Sequence, residues 1–246
     1  YLTQITARLC LDRLKSARAK RETYVGPWLP EPILDAARFH VDGGTRDQAS
    51  LSELASDLSV ALLLTLERLT PLERAAFLLH DVFDADWREV SKTLGRSEIA
   101  CRQLASRARV RVREERKAPR YHASSEERER VLTAFGAAVA TGDLSSLSTL
   151  LAEDALFMSD GGGEVRAALK PVRGRDRVAR LVLGLDAKAR REGFHYTFEM
   201  TMVNDLPGYV LDQVDAHGTK TVSTIALDVD ERLAIRAIYV VSNPHK

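Results

Sequence analysis

Apolar positions divide this chain into a helical first half and a strand-rich second half. Ile5, Leu9, Leu11 and Leu14 recur at helical spacing, while Arg8, Arg13, Lys15, Arg18, Lys20 and Arg21 cover the remaining faces. A lone amphipathic helix of this length is marginal in water, which predicts a packing partner upstream and makes these residues the end of a larger domain. The run Trp28-Leu29-Pro30-Glu31-Pro32 cannot be helical, because each proline pushes its predecessor into an extended conformation. Trp28 has no core of its own there, so it is expected to dock on a neighbouring domain. Asp42-Gly43-Gly44-Thr45 marks a turn or joint.

From residue 51 to residue 116 the pattern is helical throughout. Thr70-Pro71-Leu72-Glu73 combines an N-cap, a proline at the first helical position and a glutamate at the third. Asp86-Trp87-Arg88-Glu89 opens a short helix, Gly95 ends it, and Ser97 caps a longer basic helix. Short helix, glycine turn and basic helix make the layout of a DNA-binding helix-turn-helix. On the longer helix Ala100, Leu104 and Ala108 are expected to face inward. Arg102, Ser106, Arg109 and Arg113 then fall on the opposite side with Gln103 beside them. Guanidinium and amide groups on one face suit major-groove reading, and further cations suit phosphates. Arg107 and Arg111 project back toward the apolar side, where carboxylate partners or phosphates at the rim would engage them.

The second half changes character. Ser124-x-x-Glu127 caps a helix with Val131, Leu132, Phe135 and Val139, and Asp143 caps another through Leu151. Strand-like alternation covers 155–158, 165–172, 194–203, 209–214, 221–229 and 233–241, interrupted by a helix over 176–191. Helices followed by a curved, mainly antiparallel sheet make an α+β domain with a core of its own.

Charge sharpens this picture. The 246 residues carry a net charge of only +1, with 36 Lys and Arg against 35 Asp and Glu. Locally the balance is strong: six bases against two acids over 1–27, two against six over 28–57, and ten against four over 88–117. Residues 199–246 are acidic again, with four bases against seven acids. Two basic helical segments flanking an acidic connector suit two contacts with a polyanion, although solvated helix faces would carry the same runs. The two cysteines, Cys10 and Cys101, have no paired spacing, so neither a disulfide scaffold nor a structural zinc site is expected. No apolar run is long enough to span a bilayer and no signal peptide is evident, which predicts a protein of the reducing cytoplasm without a membrane partner.

Catalytic chemistry is sparsely signalled. Asp160, His195, Tyr196 and His217 are the candidates, but period-two alternation puts His195 and Tyr196 on opposite faces of one strand. No nucleophile elbow, phosphate loop or metal-spaced cluster occurs, so no enzyme, metal or cofactor is expected. Asp160-Gly161-Gly162-Gly163-Glu164 reads either as a plain hairpin turn or as a clamp for another domain.

Taken in order, the basic helix 8–18, the Tyr24-Val25-Gly26-Pro27-Trp28-Leu29-Pro30-Glu31-Pro32 run, the helix-turn-helix, the triple-glycine turn and the Asn243-Pro244 tail resemble bacterial extracytoplasmic-function (ECF) sigma factors of the group with a fused SnoaL-like C-terminal domain. In that group an acidic residue stands where this chain has His245. The resemblance implies a multi-domain chain: 1–27 the end of sigma region two, with most of that region missing; 28–50 an acidic linker; 51–118 an all-α sigma region four; and 124–246 an α+β SnoaL-like cone. It further implies that Arg102, Gln103, Ser106, Arg107, Arg109 and Arg113 meet the −35 element, with Arg13 and Arg18 on the −10-facing remnant. Promoter DNA and core RNA polymerase are the implied partners. Trp28, Leu29, Pro30, Glu31 and Pro32 would make regulatory interdomain contacts with Asp160, Gly161, Gly162 and Gly163 and with Asn243 and Pro244. An unidentified small molecule could occupy the SnoaL-like domain. Two other readings remain: a stand-alone ligand-sensing helix-turn-helix regulator, and a SnoaL-type cyclase or isomerase with a helical appendage.

Overall fold

The computed structural model describes residues 2–15, 24–35, 60–115, 121–215 and 217–246. By contact the chain divides into two compact units, Tyr1–Thr23 with Asp57–Pro119 and Tyr24–Ser56 with Arg120–Lys246.

The first unit is helical. Helix α1 (Leu2–Lys15) is followed by α2 (Val60–Arg68), α3 (Pro71–Phe77), α4 (Trp87–Leu94) and α5 (Glu98–Glu115). Thr70 starts α3 with a complete capping box, its hydroxyl accepting from the Glu73 amide while the Glu73 carboxylate accepts from the Thr70 amide at 3.1 Å. A π-helical turn, Leu78–Val82, then carries the chain toward Asp86, whose side chain caps α4. Gly95 ends α4 in the left-handed conformation at φ 61°, the geometry glycine adopts without steric cost. Ala76, Leu79, Val90, Leu94, Cys101 and Ala105 form one core cluster; Leu66, Leu69, Phe77, Ala108 and Val112 form another. Leu11 of α1 joins the first of these, so this helix finds a packing partner downstream in the chain. Leu2, Ile5 and Leu9 stay exposed.

The second unit is α+β. Helices α6 (Ser125–Thr141) and α7 (Leu144–Leu150) lead into β1 (Leu151–Asp160) and β2 (Val172–Arg173). Helix α8 (Arg175–Arg191) precedes β3 (His195–Val203), β4 (Leu206–Val214), β5 (Lys220–Val229) and β6 (Ile235–Val241). The six strands lie in the order β2-β1-β6-β5-β4-β3, antiparallel except for the parallel β1–β6 pair. Register irregularities in β1 and at Asp228/Val229 bend the sheet, as bulges do. Val131, Leu132 and Phe135 of α6, Leu147 of α7 and Val178, Ala179 and Val182 of α8 fill its inner face against Phe157, Tyr209, Leu227 and Ile238. This is the α+β arrangement expected for residues 124–246, with one mixed six-stranded sheet.

One expected strand is largely absent. Of residues 165–172, only Val172 joins a ladder, where it pairs with Phe157. The Gly161 carbonyl captures the amides of Glu164 and Val165 at 3.1 and 2.9 Å, which winds the chain into a turn. Pro171 then has no amide to offer a neighbour.

The segment over residues 24–35 belongs to this second unit. Leu34 makes an antiparallel bridge with Val203, the Asp35 amide donates to the Met202 carbonyl at 3.0 Å, and the Asn204 amide donates to the Ile33 carbonyl at 2.9 Å. We call residues 24–35 the strap.

Candidate nucleic-acid interface

The face of α5 turned away from the core carries the cations. Cys101, Ala105, Ala108 and Val112 are its buried row, one position later than expected at the first two sites, and Ala100 and Leu104 are half-buried beside it. Arg102, Gln103, Ser106 and Arg113 are exposed. Arg102 lies with its guanidinium 5.1 Å from the Trp87 ring centre and 3.7 Å from Glu98. Both members of that ion pair are about half-exposed, so the pair is worth little and leaves the guanidinium available. The Trp87 ring restricts where it points.

Three other arginines are more tightly engaged. Arg109 donates to Asp81 at 2.7 Å and lies 5.9 Å from the Trp87 ring centre. Arg107 and Arg111 both pair with Glu73, at 3.1 and 2.8 Å. Burial acts to raise the Glu73 pKa, but bonds from Thr70 and the two guanidinium groups outweigh it and hold the carboxyl below its ordinary range. Arg107 therefore helps fix α5 to α3, with its outer part still in solvent. On α1, Arg8 and Gln4 donate to the Lys92 carbonyl at 3.4 and 3.3 Å, and Arg13 is exposed. Arg18 lies outside the described residues.

A second cluster sits in the α+β unit, around Asp160. This carboxylate is buried at the end of β1 and accepts from four donors: the Tyr24 hydroxyl, the Leu29 amide at 2.9 Å, the Gly162 amide at 3.0 Å and the Lys246 ammonium at 2.7 Å. Burial would raise its pKa, yet the Leu29 amide, Lys246, Tyr24 and Gly162 together hold it below the usual carboxylate value. Tyr24 is pushed up to about 12, first by burial and then by its bond to Asp160. Asn243 donates to the Tyr24 oxygen at 2.9 Å, and Lys246 also donates to the Leu29 carbonyl while lying 4.6 Å from the centre of the Trp28 ring.

The strap residues are thus sorted by role. Leu29 and Pro30 are buried, Trp28 and Pro32 are half-buried, and Glu31 is exposed. The glycines admit this closeness: a Cβ on Gly161 would lie 2.0 Å from the Val165 carbonyl oxygen, and one on Gly162 about 2.5 Å from the Asn243 side chain. Pro244 is exposed, and His245 meets Glu164 at 2.6 Å on the surface. Sequence reasoning singled out the strap and the turn, but it missed Lys246 as the cation between them. A buried carboxylate at a glycine turn was the one available signal that such a cation was needed.

The match to known proteins follows this geometry. A family model described as Sigma-70, region 4 matches residues 59–112, which carry α2 to α4 and most of α5. The chain is 36% identical over 254 residues to the ECF RNA polymerase sigma factor SigJ of Mycobacterium tuberculosis (strain ATCC 25618 / H37Rv), covering 100% of this chain and 77% of SigJ. The chain belongs to the ECF sigma factor family. The crystal structure of the Mycobacterium tuberculosis extracytoplasmic function sigma factor SigJ aligns with this sigma factor at a TM-score of 0.70 and 34% identity, over 99% of this chain and 80% of that one. A probable ECF RNA polymerase sigma factor, SigI of Mycobacterium tuberculosis (strain CDC 1551 / Oshkosh), is 38% identical over 156 residues, 61% of this chain and 49% of SigI. The family is one of non-enzymatic transcription factors, which removes the cyclase reading. Among the described residues no helix is long and apolar enough to cross a membrane, and no group of His, Cys, Asp and Glu could hold a metal ion.

Proposed function

We propose that this sigma factor directs promoter-specific transcription initiation by RNA polymerase in the cytoplasm, with the exposed face of α5 reading the −35 element. In this reading Arg102 and Gln103 meet base edges in the major groove, while Ser106 and Arg113 position the helix on phosphates. Arg109 exchanges Asp81 for a phosphate on docking, and Arg107 and Arg111 stay with Glu73. Arg13 and Arg18 approach the DNA from the basic segment 1–27, and core polymerase is held through regions two and four. The observation that carries this reading is an exposed cationic face on the second helix of a helix-turn-helix that matches sigma region four.

The finer part of the proposal is regulation in cis. The strap lies in the chain between α1 and α2, and it is gripped by Asp160, Asn243 and Lys246 of the SnoaL-like unit. Gripping it holds part of the connector that joins α1 to α2, so release of the strap frees that connector and changes how the helical unit can engage a promoter.

Anisotropy titrations of a −35 duplex and a scrambled duplex test the first part. Preference for the −35 duplex, weakening steeply with salt, is expected; equal affinity for both duplexes contradicts sequence reading. Asp160→Ala tests the second part. It is expected to shift promoter affinity several-fold without altering the thermal unfolding of the helical unit, and an unchanged affinity contradicts regulation through the strap.

A further inference from the structure

The SnoaL-like unit encloses a cavity of about 370 Å³ between α6, α8 and the inner faces of β3 to β6. This is the size of a small-molecule site, which runs from about 300 to 1,000 Å³. Strand register sorts its lining. Phe157, Tyr209 and Ile238 form a buried apolar floor with Phe135 of α6. Toward the other end of the strands, Tyr196 pairs in register with Gln213, and Leu211 with Ser223. Polar groups therefore gather at one end of an otherwise apolar chamber.

The hydrogen-bonding capacity of that end is unbalanced toward donors. Ser223 and Ser242 share one hydrogen bond of 2.8 Å, which leaves one of their two hydroxyl hydrogens for another acceptor. The Asp186 carboxylate is already satisfied, by Arg190 at 2.7 Å and by the Tyr196 hydroxyl. Arg166 lines the cavity and makes no hydrogen bond or ion pair among the described residues. The Gln213 amide is likewise without a hydrogen-bond partner among them. A compensated ion pair, a spare hydroxyl hydrogen and a free guanidinium leave a net positive site at the mouth of an apolar chamber.

We propose that this cavity binds a carboxylic acid with an apolar body, its carboxylate held by Arg166 with help from the Ser223–Ser242 pair and Gln213, and that its occupancy stabilises the closed strap. The second half of the proposal rests on the regulatory reading above and follows from shared residues. Val165 and Arg166 continue directly from the glycine turn, and the Val165 amide is bonded to Gly161 at 2.9 Å. Ser242 donates its amide to the Asp160 carbonyl at 2.9 Å and precedes Asn243, which holds Tyr24. A ligand that orders Arg166 and Ser242 orders both jaws of the strap site. Because it binds the closed arrangement in preference to the open one, it lowers the open population.

Calorimetric titration of the whole chain with decanoate, and with decanol as the uncharged counterpart, tests this directly. Saturable binding with one decanoate per chain is expected, with decanol about tenfold weaker. Arg166→Ala should weaken decanoate about tenfold and leave decanol unchanged. Arg166 is exposed, so its removal does not endanger folding. Leu185→Trp, at a half-exposed position in the cavity wall, should block both probes. Exchange of the Leu29 amide hydrogen should slow about tenfold at a decanoate concentration ten times Kd. No saturable binding below millimolar concentration overturns the site, and equal affinity for acid and alcohol overturns the carboxylate assignment. Unaltered Leu29 exchange at saturation overturns the link to the strap. These measurements use neither DNA nor polymerase, so they fail or succeed separately from the transcriptional reading.

Discussion

Asp160 shows how one side chain can hold a regulatory segment. Its four donors come from the strap, the glycine turn and Lys246, so the carboxylate is the single atom group on which all three converge. Removing it leaves the Leu29 amide without its acceptor and the Lys246 ammonium without its counter-charge, with only the Leu29 carbonyl to accept from it, in a largely buried place. Asp160→Ala is therefore expected to destabilise strap closure by about 3 kcal/mol, the lower end for breaking a buried pair, because Lys246 can turn toward water. Hydrogen exchange at Leu29 measures that loss. The pH window follows from the same groups. The Asp160 pKa is lowered on folding, so its contribution is complete above the unfolded value of about 3.9 and is lost as pH falls through the lower folded value. The Tyr24 pKa is raised to about 12, so its contribution is complete below the unfolded value of about 10 and is lost as pH rises through about 12. Leu29 protection is expected to be flat between those limits, and a loss of protection near neutrality would contradict this assignment. Glu73 plays the corresponding part in the helical unit. Glu73→Ala removes half of a capping box as well as the carboxylate facing Arg107 and Arg111, and should cost about 1–2 kcal/mol in a denaturation measurement.

At the scale of elements, local signals were readable and partners were not. The caps at Thr70, Asp86 and Ser124 and the stop at Gly95 are written in a few consecutive residues, and each helix begins or ends where they place it. The outward face of α5 was legible because a 100° step per residue fixes which side chains share a side. Its inner row came one position off at Cys101 and Ala105, since small side chains in both rows give the periodicity little contrast. Period-two alternation correctly separated His195 from Tyr196, the first exposed and the second lining the cavity. It could not announce that β1 pairs in parallel with β6, because that contact joins residues far apart in sequence. Nor could it show that residues 165–171 join no ladder and follow instead the turn in which the Glu164 and Val165 amides capture the Gly161 carbonyl. That turn is testable. Gly161→Ala places a methyl group against the Val165 carbonyl and should cost about 1–3 kcal/mol, read as lower thermal stability of the α+β unit together with faster Leu29 exchange.

For the molecule as a whole, the near-zero net charge conceals the arrangement that matters. The described part of the basic stretch over 88–117 forms α4 and α5, where some of its charge pairs with Glu73 and Asp81 and some remains exposed at Arg102 and Arg113. Helical spacing turned Arg107 and Arg111 toward carboxylates or phosphates at the rim, but it pointed to neither Glu73 nor Asp81 and left Arg109 on the outward face. The acidic connector begins within the strap, which is anchored through backbone groups and the Tyr24 hydroxyl. Lys246, at the far end of the sequence from the strap, had no local pattern linking it to Trp28 and Asp160. Only the fold brings them together. The central claim, that the outer face of α5 reads a promoter, is tested most directly by Arg102→Ala in parallel anisotropy titrations on a −35 duplex and on random DNA at fixed salt. Loss of about 1–3 kcal/mol confined to the −35 duplex is the predicted result for a base-reading guanidinium. An equal loss on both duplexes, or none on either, would contradict it.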